Sequence, residues 1–353
     1  MTGHFRNVLS AEIDEQASRT YEHLFGDNPR NDLTTAEFKS IVKNTSYDIL
    51  LAGFPCQAFS RAGKQAGFLD ETRGTIFFHI AEMIKETRPR AVFLENVENI
   101  VSHDGGSTMK TIVKVLEDDL LYKIIGVTSD DFGNHVFNRK SFVRNTRNFG
   151  LPQNRPRVYI LAFDKARYGN AVANLPSRIP LKSDEVVYPD VSSVLEKDPD
   201  IRYYMASGYL DTLKKHRERQ RKNGNGFGYC VVNDPNRCSK ISNAVLATGG
   251  SGKERNLVLQ PKEGVAGIQL PSRKSPLNSE GIRMMTPTEW GRLQGFVGYG
   301  FVDENGLDTF SFPDGMSDGQ KYKQLGNSVS IPVIKTMADF MYECLKMMES
   351  NEN

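Results

Sequence analysis

Residues 47–57 read YDILLAGFPCQ, an apolar run that stops at a proline. The segment from Leu50 to Phe54 is typical of the end of a buried strand. Pro55 cannot continue a strand because it has no backbone N–H to donate. We therefore place Cys56 where a strand gives way to a loop, a common position for catalytic groups in α/β proteins. A buried structural thiol is an equally good interpretation of this stretch alone.

The first 165 residues alternate strand-like runs with helix-like stretches. The spacing of apolar residues predicts helices over 73–88, where Pro89 ends the pattern, and over 109–120. Continuous apolar runs predict strands at 7–11, 90–96 and 157–163. This alternation is typical of an α/β fold with a doubly wound, mostly parallel sheet.

The character of the chain changes after residue 168. Residues 169–285 are rich in Gly, Asn, Ser and charge, and short strands are predicted at 230–232 and 256–259, as in a smaller, loop-rich module. Helical periodicity returns at 287–296 and again from Ile331 to Met348. The predicted organisation has four ranges, 1–168, 169–285, 286–323 and 324–353.

The composition is that of an ordinary soluble globular protein, with 39% hydrophobic and 25% charged residues among 353. No run approaches eighteen apolar residues, and the N-terminus lacks the apolar centre of a signal peptide, so we predict no membrane span. Four scattered cysteines suit a reduced cytoplasm, where we expect the protein to be. Cys230 and Cys238 have no second close pair of Cys or His, so no metal site is predicted.

The net charge of +2 is too small to indicate nucleic-acid binding by itself, but its distribution is uneven. Between Arg202 and Lys222 there are seven Lys or Arg residues and two acidic residues. A segment of this kind can neutralise phosphates. Such a segment is more often just the solvated face of a helix, and by itself it does not indicate DNA binding.

Glu95 stands at the end of the apolar run Ala91–Leu94. Burial there would raise the pKa of its carboxyl group and let it hold a proton near neutral pH. Because the carboxyl ends of parallel strands converge on one crevice, we expect Glu95 and Cys56 to lie near each other. A thiol nucleophile beside a proton-donating carboxyl group is suited to covalent catalysis. The alternative is a glutamate that caps the next turn.

Two arginines, Arg155 and Arg157, stand at the entrance to the predicted strand 157–163. One of them can face the crevice while the other braces the fold. Two surface arginines at the start of a strand are an equally good interpretation.

Five segments stand in an order that resembles one family. They are Pro55-Cys56-Gln57, Glu95-Asn96-Val97, Gln153-Asn154-Arg155-Pro156-Arg157, Arg283–Phe296 and Gln324–Val329. Together they resemble the DNA (cytosine-5) methyltransferases, most of all the compact bacterial enzymes of restriction–modification systems, from about Glu12 to Met341. The resemblance implies the S-adenosylmethionine-dependent methyltransferase fold and a function in DNA methylation. A tRNA-modifying activity fits less well, because Gln57 follows the cysteine.

The resemblance also implies a role for each motif residue. Cys56 would be the nucleophile that adds to C6 of a cytosine swung out of the duplex, and base flipping costs roughly a few kcal/mol. Glu95 would contact N3 and the exocyclic amine, and Arg157 the O2 atom. Arg155 would support the site. The methyl group would come from S-adenosylmethionine, and the loop from Ser60 to Phe68 would close over the DNA.

The cofactor contacts implied by the resemblance lie at both ends of the chain. Glu12 would bond the ribose hydroxyls, Ile13 would pack on the adenine, and Asp32 with Leu33 would meet the adenine edge. The remaining expected contacts are Pro55, Asn327, Ser328 and Val329.

The N-terminus departs from the family pattern. The family begins with a strand and a Phe-x-Gly-x-Gly turn that holds the methionine end of the cofactor, whereas the first match in this chain is the second strand. Three explanations stay open: a true start upstream, a separate N-terminal partner chain, or a decayed gene. The intact remaining motifs favour the first. The alternative function is a catalytically inactive or split-chain DNA-binding remnant.

The four ranges take roles from the resemblance. Residues 1–168 would form the catalytic and cofactor domain, 169–285 the target-recognition domain, 286–323 a hinge and connecting region, and 324–353 a helix that returns to the catalytic domain. Glycine-rich loops at 224–233 and 246–258 would read base edges in the major groove, and the basic run 214–222 would meet phosphates. The expected partners are double-stranded DNA and a cognate restriction endonuclease, and the enzyme is expected to be a monomer.

Overall fold

The computed structural model describes residues 3–55, 76–225, 229–248 and 253–350. The chain divides into two compact units. Unit one comprises the described residues of Met1–Asn145, Pro156–Lys182 and Lys335–Asn353, and unit two those of Thr146–Arg155 and Ser183–Ile334. The four ranges predicted from the sequence, with their roles, stay predictions.

The helices follow the chain in this order: α1 (Glu15–Phe25), α2 (Ala36–Asn44), α3 (Ile76–Thr87), α4 (Ser107–Lys114), α5 (Arg139–Phe142), α6 (Lys165–Tyr168), α7 (Ser207–Lys222), α8 (Pro287–Gln294), α9 (Asp318–Asn327) and α10 (Ile331–Glu349). The strands are β1 (Ile49–Gly53), β2 (Ala91–Val97), β3 (Tyr122–Ile124), β4 (Thr128–Ser129), β5 (His135–Val136), β6 (Val143–Asn145), β7 (Gln153–Asn154), β8 (Pro156–Asp164), β9 (Ser242–Asn243), β10 (Leu257–Leu259) and β11 (Ile282–Met284).

The main sheet of unit one has the strand order β1-β2-β8-β3, and β6 also pairs with β8. β1 and β2 are parallel, and β8 is antiparallel to β2, β3 and β6. Within the described residues, β8 is therefore the reversed strand of a sheet whose other strands point the same way. The predicted α/β fold with a mostly parallel sheet is confirmed.

The core of unit one lies between this sheet and its helices. Residues 91–94 of β2 are all buried. Val92 and Leu94 belong to one apolar cluster, to which α3 contributes Phe77, Ile80 and Ile84. The apolar residues of α3 recur at helical spacing and the helix ends before Pro89, as the sequence predicts. The same cluster holds β2 and β8 in register, which fixes where the carboxyl end of β2 lies relative to the start of β8.

Three strand predictions need correction. β1 is not a buried strand: Leu51 is 60% exposed, because β1 stands at the end of the strand order and pairs only with β2 in the described part of the chain. Residues 7–11 do not form a strand, because an extended segment becomes a strand only when a neighbour completes its hydrogen bonds. The predicted strand at 230–232 is reduced to a single bridge between Val231 and Leu257.

Unit two is built from short strands and helices around a second core. β10 and β11 form an antiparallel pair, and β7 pairs in parallel with β9. Trp290 of α8 meets Tyr322 of α9 edge-on, with ring centroids 4.7 Å apart. Thr286 and Glu289 cap the start of α8 reciprocally, and the Glu289 carboxylate also binds the fully buried guanidinium of Arg283 at 2.6 Å. A buried ion pair needs such additional hydrogen bonds to offset its desolvation.

None of the helices in the described ranges combines the length and the apolar character that a bilayer crossing requires.

Candidate active site

Glu95 lies at the carboxyl end of β2, where three strands of unit one meet. In the sheet register it stands opposite Gly53 of β1 on one side and Tyr159 of β8 on the other. Side chains of directly paired residues share a face of the sheet, and so do residues two apart on one strand. Glu95 therefore shares its face with Arg157, which precedes Tyr159 by two residues.

Glu95 and Arg157 form an ion pair across this diagonal. The Arg157 Nε atom lies 3.4 Å from the Glu95 Oε1 atom, and the two side chains are only 16% and 18% exposed. Burial lowers the pKa of Arg157, and the Glu95 carboxylate opposes that change. A guanidinium nevertheless stays charged at neutral pH. The site thus presents a fixed cation and a carboxyl group side by side.

Gly53 provides the space in which the Glu95 carboxyl group lies. A Cβ atom added to Gly53 would stand 3.4 Å from the Glu95 Oε2 atom, at the limit of van der Waals contact. A larger side chain at this position would extend over the carboxyl group. The sequence analysis did not single out Gly53, because its role depends on the register between β1 and β2.

Asn96 holds the chain where it leaves β1. Its Nδ2 atom donates to the Phe54 carbonyl oxygen at 2.7 Å, and its Oδ1 atom accepts from the Val97 N–H at 2.8 Å. The ring of Phe54 packs against that of Phe77, with centroids 5.6 Å apart. Both the backbone and the side chain of Phe54 are thus fixed, and the exposed Pro55 follows it. The sequence offered a signal for Asn96, since it stands beside Glu95 in one of the five motifs.

The predictions for Cys56 and for the loop Ser60–Phe68 fall outside the described residues. They therefore stay predictions.

Arg155 is in unit two and does not share the surroundings of Arg157. It is buried, and its guanidinium donates to three carbonyl oxygens, those of Val245 at 2.8 Å, Gly326 at 2.9 Å and Ser328 at 2.7 Å. Residues two apart on a regular strand share a face, but β8 begins at Pro156, so Arg155 is not bound by that rule. The supporting role of Arg155 at the site stays a prediction.

Gln153 and Gly326 complete the support around Arg155. The buried Gln153 side chain donates to the Leu293 carbonyl oxygen at 2.7 Å and accepts from the Val245 N–H at 3.0 Å. A Cβ atom added to Gly326 would lie only 2.3 to 2.4 Å from the backbone of Leu246 and Ala247. Only glycine permits this approach, and the sequence analysis missed both roles because they depend on contacts with residues far along the chain.

The expected cofactor residues of unit two follow this glycine. α9 ends at Asn327, which is exposed. Ser328 donates its hydroxyl to the Leu325 carbonyl oxygen at 2.8 Å, and both Ser328 and Val329 are half-buried. The turn is thus held by backbone contacts on Gly326 and Ser328, while the Asn327 side chain is open to solvent.

The expected cofactor residues near the N-terminus belong to two adjoining segments of unit one. The Glu12 N–H donates to the Pro29 carbonyl oxygen at 2.9 Å, and the Asn31 side chain donates to the Ser10 carbonyl oxygen at 2.9 Å. These bonds join the segment that carries Glu12 and Ile13 to the one that carries Asp32 and Leu33.

Their chemistry fits an adenosine group. Ile13 is 70% exposed, so an apolar surface is open beside the Glu12 carboxylate. Asp32 accepts from the amide and the hydroxyl of Thr34, at 2.8 and 2.7 Å, and these bonds lower the pKa of Asp32. Carboxylates accept from hydroxyl and amine donors, and an apolar side chain packs against a base. Leu33 packs against the core of unit one behind them.

A family model for C-5 cytosine-specific DNA methylases matches residues 1–343. The chain belongs to this family. The type II methyltransferase M.HpaII of Haemophilus parainfluenzae is 42% identical over 339 residues, which cover 96% of this chain and 83% of that protein. The type II methyltransferase M1.ScrFI of Lactococcus lactis subsp. cremoris is 36% identical, over 97% of this chain and 73% of that protein.

Solved structures support the fold of this C-5 cytosine methylase. A mutant of Spodoptera frugiperda DNMT2 superposes with a TM-score of 0.59 at 18% identity, over 96% of this chain and 92% of that one. A putative prophage-encoded DNA modification methyltransferase of E. coli gives a TM-score of 0.51 at 19% identity, over 98% and 94%. At these identities the likeness concerns the fold alone.

Family membership confirms the resemblance drawn from the five motifs. The roles of individual residues in this methylase stay predictions. Within the described residues, no three His, Cys, Asp or Glu side chains cluster in a way that could hold a metal ion.

Proposed function

We propose that this C-5 cytosine methylase transfers a methyl group from S-adenosylmethionine to C5 of one cytosine within a specific sequence of double-stranded DNA, as the modification enzyme of a restriction–modification system. The observation that carries the proposal is the Glu95–Arg157 pair at the end of β2, 3.4 Å apart and mostly buried. N3 and O2 of cytosine are both bonded to C2 and lie on the same edge of the base. A carboxyl group beside a guanidinium matches them, since one can hold a proton at N3 and the other can donate to O2.

In the covalent step, we assign Cys56 as the nucleophile. Its thiolate sulfur bonds to C6 of the flipped cytosine, and the π electrons of the C5–C6 bond move to C5. Glu95, in its protonated form, gives a proton to N3 as this happens, and Arg157 donates to O2, so the negative charge that develops on the ring is offset. When bound, S-adenosylmethionine supplies an electrophilic methyl group to C5. Loss of the C5 proton to water then restores the double bond, breaks the sulfur–C6 bond and returns the N3 proton to Glu95.

The cofactor would be held by the residues whose chemistry fits it. Glu12 would accept from the ribose hydroxyls, Ile13 would pack on the adenine, and Asp32 with Leu33 would meet the adenine edge. The further proposed contacts are Pro55, Asn327, Ser328 and Val329.

The supporting parts follow the sequence-based predictions. Arg155 supports the site through the three carbonyl oxygens that it binds, among them that of Ser328. Residues 169–285 would choose the DNA sequence through base-edge contacts in the major groove. A cognate restriction endonuclease would act on the same sequence, and we propose a cytoplasmic monomer.

Two substitutions test the assignment on duplex DNA that carries 5-fluorocytosine. Fluorine at C5 cannot leave as a proton does, so a covalent protein–DNA complex persists in the presence of S-adenosylmethionine. The wild-type protein is expected to form the complex and Cys56→Ala to form none, while Glu95→Gln forms it at least about 10²-fold more slowly, the usual contribution of a proton donor. Glu98→Gln is the matched control, since it makes the same chemical change three residues away, where Glu98 pairs with Arg139. A complex formed by Cys56→Ala would remove the nucleophile from the proposal.

A further inference from the structure

Helix α7 has two chemically different sides. On its inner side, Leu210 and Leu213 are buried in an apolar cluster of unit two with Tyr229, Leu257 and Ile282. This burial fixes the rotation of the helix about its axis, and so decides which of its basic residues face outward.

Two of the basic residues are engaged within unit two. The Lys214 ammonium binds the Glu280 carboxylate. The Arg217 guanidinium lies over the ring of Tyr229, 4.5 Å from the centroid. Such contacts fix the helix to its neighbours and leave these two charges committed to the fold.

Three others form a stripe on the outer side, which we call the outer basic stripe: Lys215, Arg219 and Lys222. Residues three and four apart are neighbours on a helix surface, so the spacing places the three side chains in one row. All three are exposed, and none forms an ion pair with any described residue. The acidic residues Asp211 and Glu218 border the stripe on the same helix, four residues before Lys215 and Lys222, and neither forms an ion pair there.

The stripe is long enough to face several phosphates of duplex DNA. Lys215 and Lys222 are seven positions apart, or about 10 Å at the rise of an α-helix. Duplex DNA carries one negative charge per roughly 1.7 Å of axis, so the same length presents about six phosphates. A face that serves only solubility commonly mixes the two signs in pairs four residues apart. Here the pairs that the spacing allows between the stripe and Asp211 or Glu218 are not formed.

We propose that the outer basic stripe binds the phosphate backbone of double-stranded DNA without regard to sequence. This inference rests on the proposed function, which makes DNA the substrate, and adds which residues supply the sequence-independent part of the affinity. Lys214 and Arg217 are excluded from the contact because they are engaged within the unit. The stripe sets the affinity and its dependence on salt, while sequence choice and chemistry lie elsewhere.

The test compares a triple variant, Lys215→Gln, Arg219→Gln and Lys222→Gln, with a control that removes three exposed lysines of unit one, Lys85→Gln, Lys110→Gln and Lys114→Gln. Both variants lose the same charge. Binding to a duplex of random sequence is measured by fluorescence anisotropy from 50 to 200 mM KCl. Each lost phosphate contact reduces the magnitude of the negative slope of log K against log salt by about 0.9. The magnitude is therefore expected to fall by about 2 to 3 in the stripe variant and to stay unchanged in the control.

Catalysis provides the second readout. With saturating cognate DNA, the stripe variant is expected to keep the wild-type kcat and to show a raised KM. If the stripe variant keeps the wild-type salt slope, or if the control changes equally, the proposal that the outer basic stripe binds phosphates is refuted. This holds even if the wild-type protein methylates DNA. A wild-type protein that neither binds nor methylates DNA refutes the proposed function instead. If the triple variant does not fold, the single variants decide the question, since each is expected to lower the slope by about 1.

Discussion

The hydrogen bond from Asn96 to Phe54 gives the sharpest prediction about unit one. Asn96→Ala removes the donor that binds the Phe54 carbonyl oxygen. Both residues are buried, with Asn96 4% and Phe54 6% exposed. An unsatisfied buried carbonyl group costs about 1–3 kcal/mol. A loss of about 2 kcal/mol lowers the folding equilibrium constant roughly 30-fold, since about 1.4 kcal/mol is a factor of ten.

The effect on the reaction should exceed the effect on stability. Phe54 is the last residue but one before Cys56, and the Asn96 bond fixes the direction in which the chain leaves β1. A misplacement of about 1 Å can slow catalysis about 10²-fold. Under conditions where Asn96→Ala is fully folded, we therefore expect kcat to fall by about that factor while the Kd for DNA stays unchanged.

The assay combines single-turnover methylation with hydrogen exchange of the peptide that contains β2. Asn99→Ala is the matched control, because Asn99 is exposed and lies three residues away. Asn96→Asp adds a further check: its carboxylate repels the Phe54 oxygen, whereas the protonated form can donate to it. Stability relative to Asn96→Ala should therefore recover as the pH falls from 8 to 5. A wild-type turnover rate in folded Asn96→Ala would refute the positioning role.

Other substitutions test the remaining parts of the account. Arg155→Met leaves the carbonyl oxygens of Val245, Gly326 and Ser328 without their donor, so we expect unit two to lose at least about 3 kcal/mol and Arg155→Lys to lose less. Gly326→Ala should destabilise the same unit by about 1–3 kcal/mol, because its Cβ meets backbone at 2.3 Å. Both are read from the fluorescence of Trp290, the single tryptophan, whose urea midpoint would stay at the wild-type value if the contacts contributed nothing. Burial raises the pKa of Cys344 to about 12, so at pH 8 its thiolate is scarce and mass spectrometry should find it alkylated far more slowly than the exposed Cys238. The unfolded thiol ionises near pH 8.5, so the contribution of the buried thiol to stability is present below that pH and is lost as the pH rises toward 12. Equal alkylation rates for Cys344 and Cys238 would contradict the raised pKa.

The elements that sequence periodicity predicted are those that local chemistry determines. α3, β2 and β8 carry continuous or regularly spaced apolar residues, and their positions follow from the sequence. The exposure of β1 could not be predicted in the same way, because it depends on which strands stand beside it. The strand predicted at residues 7–11 was wrong for the same reason, because a strand forms only where a neighbouring strand completes its hydrogen bonds.

In the candidate site, too, some residues could be found from the sequence and others could not. The resemblance implied that Glu95 and Arg157 contact the same base, and the register of β2 and β8 places the two side chains 3.4 Å apart. Their roles at the base stay predictions. Asn96 and Gly53 were missed, because the role of each is defined by a partner on a neighbouring strand or at its end, about forty residues away. Motif order indicated which positions matter, but only the packed sheet indicates what the neighbouring positions do.

Cytosine methylation itself can be measured in a host that lacks other cytosine methylation. The chain and its Cys56→Ala variant are expressed there, and plasmid DNA is sequenced after bisulfite treatment, which converts cytosine but spares 5-methylcytosine. We predict that the wild-type chain protects one cytosine within a recurring short sequence, and that the variant protects none. Full conversion with the wild-type chain, or the same protection with Cys56→Ala, would contradict the proposed reaction.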